Sequence, residues 1–245
     1  LGLPPNMQRI VERRMREAGA QPTDPTTFFM SLAGPTISTH GTLEQKKRFL
    51  RPMYTGEERW CQLFSEPGAG SDFAGLACKA ERDGDEWVIT GQKVWNTLAH
   101  LGDWGMLVTR SNPDLPKHKG MTYFALDMRA PGVEVRPLRQ ITGEAEFNEV
   151  YVTEVRVPDS CRIGDAGEGW RVALTTLMNE RSAIGGSSGG STSQPGSGPI
   201  SDAVSIWESL PSDSKDQKTL DDLMTLWVKS EALRLTNQRA SAAAK

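Results

Sequence analysis

The sequence predicts an α+β chain in three parts: a helical N-terminal part over residues 1–59, an antiparallel β-barrel or sandwich over 60–165, and a helical C-terminal part over 166–245. Three observations carry this. Apolar residues recur at helical spacing before Gly56 and after Gly167. Between these positions, short β-prone runs alternate with Gly, Pro, Asn and Asp at regular intervals. Asp83-Gly84 joins two of those runs as a hairpin signal.

Residues 6–19 predict a first helix, with Met7, Ile10, Val11 and Met15 at helical spacing and Gly19 able to end it. Residues 28–38 are apolar and small, a second helix that Pro35 bends or stops. Thr42-Leu43-Glu44-Gln45 has the form of a capping box and starts a third, with Leu43, Phe49 and Leu50 on its inner face. From Trp60 the period changes. Strands are expected over 77–82 and 86–95 about the hairpin, then over 105–110, 121–128, 133–137 and 149–157. Gly167-Glu168-Gly169 opens a helix through Ile184, with Trp170, Leu174, Leu177, Met178 and Ile184 as its apolar face. Residues 186–199 are all Gly, Ser or Pro except Thr192 and Gln194, which is linker composition and predicts an irregular or mobile segment. Helices are expected again over 200–210 and 220–244.

The charge balance excludes several partners. Lys and Arg total 28 against 31 Asp and Glu, both signs interspersed, so nothing marks a nucleic-acid or anionic-membrane surface. No apolar run is long enough to span a bilayer, and no signal-peptide pattern opens the chain. Cys61, Cys78 and Cys161 are odd in number and far apart, which suits free thiols in a reducing compartment. His40, His100 and His118 lack ligand spacing, so no metal site is expected. These features together fit a soluble, cytoplasmic protein.

Chemistry concentrates in Leu63-Phe64-Ser65-Glu66-Pro67-Gly68-Ala69-Gly70-Ser71-Asp72. Pro67 keeps regular structure from crossing the stretch, and Gly68 and Gly70 leave backbone N–H groups uncovered. Ser65, Ser71 and Asp72 add short hydrogen-bonding side chains. A surface turn between strands has the same composition, but such a loop also presents N–H and hydroxyl donors to an oxygen-rich ligand.

With Gly91-Gln92-Lys93-Val94-Trp95-Asn96-Thr97 following at the right distance, the stretch closely resembles the acyl-CoA dehydrogenases over about residues 39–185. The resemblance implies a three-domain fold (α, β, α), here truncated at both ends. It also implies FAD as cofactor and oxidation of an acyl-CoA to the trans-2-enoyl-CoA, as in fatty-acid β-oxidation, with electrons passed to an electron-transfer flavoprotein. By it, Gln62, Leu63, Phe64, Ser65, Gly70, Ser71, Trp95, Asn96 and Thr97 lie along the FAD. Ser65 would bond the pyrimidine edge of the flavin, Thr97 would serve the region around N5, and Trp95 would stack beside the ring. Ser71, Met178 and Arg181 would meet the acyl-CoA, Ser71 near the pantetheine. A strand Trp in a core and a turn Ser bonded to its own backbone are the plainer roles for Trp95 and Ser71.

The catalytic base of the family is a Glu at one of two places. Met178-Asn179-Glu180-Arg181 matches the Glu-Arg pair of the long-chain and isovaleryl members, which makes Glu180 the candidate base. An ordinary helix-borne ion pair has the same sequence. The Arg-x-x-Phe-Gly element by which the family reaches a neighbour's FAD does not occur in this sequence, so a homo- or hetero-oligomer of related subunits is expected. Two other readings stay open: a non-catalytic subunit that scaffolds an active partner, and a flavin oxidase on the same fold. A trimmed chain and a naturally short subunit both fit its length.

Overall fold

The computed structural model describes residues 6–19, 27–187 and 194–243. By internal contacts it divides into two compact units, Leu1–Asn179 and Glu180–Lys245.

The first unit opens with three helices, α1 (Asn6–Glu17), α2 (Thr27–His40) and α3 (Leu43–Tyr54). The capping box at α3 forms as its residues dictate: the Gln45 N–H donates to Thr42 Oγ1, and the Gln45 side chain accepts from the Thr42 N–H. Pro35 stays inside α2 without ending it. The apolar spacing of α1 predicts a buried face, yet Ile10, Val11 and Met15 are exposed.

Eight strands follow: β1 (Trp60–Leu63), β2 (Lys79–Asp83), β3 (Glu86–Lys93), β4 (Trp104–Arg110), β5 (Met121–Asp127), β6 (Val133–Leu138), β7 (Phe147–Pro158) and β8 (Arg162–Ile163). They form one sheet in the order β6-β7-β3-β2-β4-β5-β8, with β1 added on β4. Most pairs are antiparallel, as expected, and the β2–β3 hairpin turns at Gly84, whose φ is +65°. Two pairs are parallel. β1 lies on β4 with Leu63 opposite Leu107, and β2 meets β4 only at Lys79 opposite Arg110. The chain therefore leaves the edge of β4 after Leu63 and returns to it at Lys79, and everything between is an excursion from that edge.

Period-two alternation divides the core. Met106, Val108, Tyr123 and Ala125 pack with Leu32, Ala33, Ile37 and Phe49 of the helices, while Leu107, Phe124 and Leu126 pack with Trp87, Ile89, Val150 and Val152. Helix α4 (Gly169–Ser187) joins the first of these clusters through Val172 and Ala173. Here the sequence expectation needs correction. Leu174 and Met178, placed on the apolar face by spacing, are 41% and 57% exposed, whereas Thr176 is fully buried. A hydrogen-bond chain explains the choice: Thr176 Oγ lies 2.9 Å from Thr36 Oγ and 3.2 Å from the Tyr123 hydroxyl, and Thr36 donates to the Leu32 carbonyl. A Thr that completes such a chain is worth burying, and it turns the helix away from the all-aliphatic stripe.

In the second unit, α5 (Pro199–Ser209) pairs with α6 (Gln217–Ala243), and the Gly196 N–H donates to Glu231, which also holds Arg234. Of the linker expected over 186–199, residues 186 and 187 belong to α4 and Pro199 starts α5, residues 188–193 lie outside the described residues, and residues 194–198 are irregular, so no single helix runs from Gly169 to Leu210. No helix among the described residues is long and apolar enough to cross a membrane.

Replacing Thr176 with Val keeps its shape and strands the buried Tyr123 hydroxyl. We expect a loss of about 1–3 kcal/mol in urea unfolding, largely recovered in Thr176→Ser.

Candidate functional site

The excursion between Leu63 and Lys79 leaves β4 without a strand partner at Val108 and Thr109 on that edge. Lys93, the last residue of β3, fills the gap. It is fully buried, and its ammonium donates to the carbonyls of Val108 (2.7 Å) and Phe64 (3.1 Å) and to Glu66 Oε1 (2.8 Å). The Glu66 carboxylate is held from the other side by the N–H groups of Ala77 (2.7 Å) and Cys78 (2.9 Å). All three Lys protons are used, and the carboxylate bridges both ends of the loop. Within the loop the N–H and C=O of Glu66 exchange bonds with those of Ala69, so Pro67 and Gly68 form the tip of a tight turn.

The second motif is tied to the first residue by residue. The Val94 N–H donates to the Ser65 carbonyl at 2.9 Å, and Asn96 Nδ2 donates to the Gln62 carbonyl at 2.9 Å. Trp95 between them takes a left-handed φ of +61° and is 63% exposed. Its indole meets Phe147 edge-on, with ring centroids 6.1 Å apart.

The structure thus brings residues 62–66 and 93–97 together, and it separates two kinds of residue among them. Leu63 and Phe64 bury their side chains in the core, so only their backbone can meet a ligand. Asn96 is buried too: its side-chain amide donates to Gln62, while Oδ1 has no hydrogen-bond partner among the described residues. By contrast, the hydroxyls of Ser65, Ser71 and Thr97 have no hydrogen-bond partner among the described residues. Ser71 and Gly70 lie exposed just before Asp72, which pairs with Lys117 at 2.8 Å. Ser65 and Thr97, with free hydroxyls on the segments that flank the exposed Trp95 indole, can meet a planar heteroaromatic ligand with polar edges. Met178 is exposed on α4, and Glu180 and Arg181 follow on the same helix in the second unit, Glu180 half-buried and Arg181 exposed.

The thiols carry no chemistry here. Cys61, Cys78 and Cys161 are free, and burial pushes Cys61 up to about 12 and Cys78 to about 11, which leaves both protonated and inert near neutral pH. No cluster of His, Cys, Asp or Glu among the described residues is arranged to hold a metal.

Lys93 and Glu66 stood inside the two motifs without a role of their own in the sequence. The available signal was phase: Lys93 shares the inward side of β3 with Trp87 and Ile89, where a charge requires a buried partner.

The chain belongs to the acyl-CoA dehydrogenase family, as the comparisons with known proteins show. Residues 61–155 match the family model for the acyl-CoA dehydrogenase middle domain. Acyl-CoA dehydrogenase FadE34 of Mycobacterium tuberculosis is 50% identical over 183 residues, 75% of this chain and 26% of that protein. Acyl-CoA dehydrogenase IpdE1 of the same organism is 48% identical over 154 residues, 63% of this chain and 40% of that protein. Among solved structures, the Tcur3481-Tcur3483 steroid ACAD superposes with a TM-score of 0.78 at 32% identity, over 89% of this chain and 55% of its own. The ChsE4-ChsE5 complex from Mycobacterium tuberculosis gives 0.75 at 29%, over 97% and 60%. The chain spans about a quarter to two fifths of these two curated relatives.

Lys93→Met leaves the Glu66 carboxylate buried without its counter-charge. We expect a loss of about 3–5 kcal/mol in denaturant unfolding. The double variant Lys93→Met/Glu66→Gln should lose less than Lys93→Met alone, because the stranded charge is gone.

Proposed function

We propose that this chain is part of an FAD-dependent acyl-CoA dehydrogenase that converts an acyl-CoA thioester to its trans-2-enoyl-CoA. The observation that carries the reading is the junction of the two motifs, which holds Ser65 and Thr97 on adjoining segments with hydroxyls unspent and Trp95 turned outward. Ser65 and Thr97 would hydrogen-bond the polar edge of the flavin, and Trp95 would cover part of its ring. Bound FAD would supply the acceptor for the hydride equivalent that leaves the substrate β-carbon. Ser71, Met178 and Arg181 are assigned to the acyl-CoA. Glu180 is assigned the α-proton. That assignment rests on the match of Glu180-Arg181 to the Glu-Arg pair of the family.

The electron acceptor in this reading is an electron-transfer flavoprotein, and the assembly is an oligomer of related subunits. The name of the ChsE4-ChsE5 complex, which joins two distinct chains, supports a mixed one. The acyl group has two candidate classes. Fatty acyl chains follow from the family at large, and a steroid-borne acyl group follows from the 32% identical steroid ACAD.

Anaerobic titration tests the whole reading. The purified protein, supplied with FAD, should be yellow, and a panel of fatty and steroid-derived acyl-CoAs should identify one class that bleaches it. A protein that takes up no FAD would remove the enzymatic reading and favour a scaffold subunit, while peroxide formed on turnover would point to an oxidase. Thr97→Val should slow flavin reduction about fivefold to tenfold, the worth of one hydrogen bond, with the fold intact. Glu180→Gln should lower bleaching at least about 100-fold while retaining acyl-CoA binding, because the amide keeps the shape and removes the basicity. Normal bleaching in Glu180→Gln would place the base elsewhere.

A further inference from the structure

The β3–β7 ladder pairs Gly91 with Val152, Gln92 with Tyr151 and Lys93 with Val150. Continued without change, it would set Trp95 opposite Asn148. Instead the Asn96 N–H donates to the Asn148 carbonyl at 3.0 Å, so one residue has been inserted on the β3 side. The inserted residue is Trp95, in the left-handed conformation, which makes the segment a β-bulge. A left-handed Trp is strained, so something must hold it there.

The side chain of Asn148 does so. It is fully buried, and its Nδ2 donates to the Asn96 carbonyl at 2.8 Å and to the Glu146 carbonyl at 3.1 Å. Its Oδ1 lies 3.0 Å from His100 Nδ1. Asn96 is therefore gripped at both its N–H and its C=O by the same residue. Leu98 is tied to the same strand, because its N–H donates to the Glu146 carbonyl at 2.8 Å, and it too is left-handed, at φ +53°. Along this segment residues 94, 96 and 98 are tied down, and Trp95 and Thr97 project between the ties. Asp, the near-isostere, would turn a carboxylate towards two carbonyl oxygens, so the amide is the group that fits.

We propose that Asn148 is a positioning residue, locking the bulge at Trp95 so that Trp95 and Thr97 are presented to the cofactor. The direction of presentation rests on the flavin reading above; the lock itself is read from the ladder. The test labels the 7 tryptophans of the full chain with 5-fluorotryptophan and assigns the Trp95 fluorine resonance with Trp95→Phe. In Asn148→Ala without FAD, the Trp95 resonance should shift or broaden while those of the buried Trp60 and Trp87 stay in place. FAD titration should then show binding weakened about tenfold relative to the wild type. If the alanine variant does not fold, Asn148→Thr removes the amide with almost no change in volume and no buried charge, and is read in the same two ways. A Trp95 resonance unmoved in a folded variant overturns the lock whatever the flavin does. A moved resonance with unchanged FAD affinity overturns the positioning role. A wild-type chain that binds no FAD sinks the functional reading instead, and the fluorine measurement alone then decides the lock.

Discussion

A fully buried ammonium is the constraint from which this site follows. Lys93 has no access to water, so each of its three protons needs an oxygen fixed within the protein, and desolvation without them would cost several kcal/mol. Those oxygens come from three separate places: β4 at Val108, the loop at Phe64, and the Glu66 side chain. Glu66 in turn takes the N–H groups of Ala77 and Cys78 at the far end of the same loop. One charge thus closes an excursion of fifteen residues between β1 and β2 and joins it to the end of β3. A loop with Pro67, Gly68 and Gly70 has little tendency of its own to hold one shape. Here its shape is imposed by a partner that cannot tolerate being left unsatisfied.

How much of this was legible depended on whether the cause was local. The capping box at Thr42, the Gly84 turn and the strands from 105 to 157 rest on short-range spacing, and they stand close to where the sequence places them. The two loops were legible as motifs. What escaped were features caused by distant partners. β1 is four residues long, with Trp60, Cys61 and Leu63 all buried, so it has no alternation to read, and its parallel pairing with β4 is set by tertiary structure. The face that α4 buries was misjudged because Thr36 and Tyr123, each far off in the chain, offer Thr176 a better place than solvent offers Leu174. Asn148 gives no signal at all until β7 is laid beside β3. Glu180 was legible only as half of a Glu-Arg pair, since the property that matters for a base is its surroundings.

The conformations of Trp95 and Leu98 show how the local cost is distributed. A left-handed residue other than glycine costs of order 1–3 kcal/mol, and the segment contains two within four residues. The ties that oppose relaxation are the Val94, Asn96 and Leu98 N–H bonds and the two side-chain amides of Asn96 and Asn148. Each contributes about 0.5–1.5 kcal/mol net, and more is lost if a buried partner is stranded. Together these ties are of the same order as the strain they oppose, so the conformation depends on keeping them. Glycine at position 95 would relieve the strain but would remove the indole, which is the reason to retain a conformation that only a restrained chain can keep.

This division of labour also bears on what a related site can change. Residues 93, 94, 96 and 98 are committed to the scaffold, because each is bonded to β4, to the 62–66 segment, or to residues 146–148. Ser65, Trp95 and Thr97 carry none of that load through their side chains. Substitution at these positions alters what a ligand meets with little effect on the sheet, whereas substitution at the tied positions moves all of them together. Functional tuning is therefore expected to fall on residues with exposed or unspent groups, and losses of stability on their immediate neighbours in sequence. The alternation has a geometric origin: a bulge turns one side chain outward while the residues on either side stay bonded to the scaffold. The same geometry that exposes Trp95 buries Asn96, and neither residue can be placed without the other.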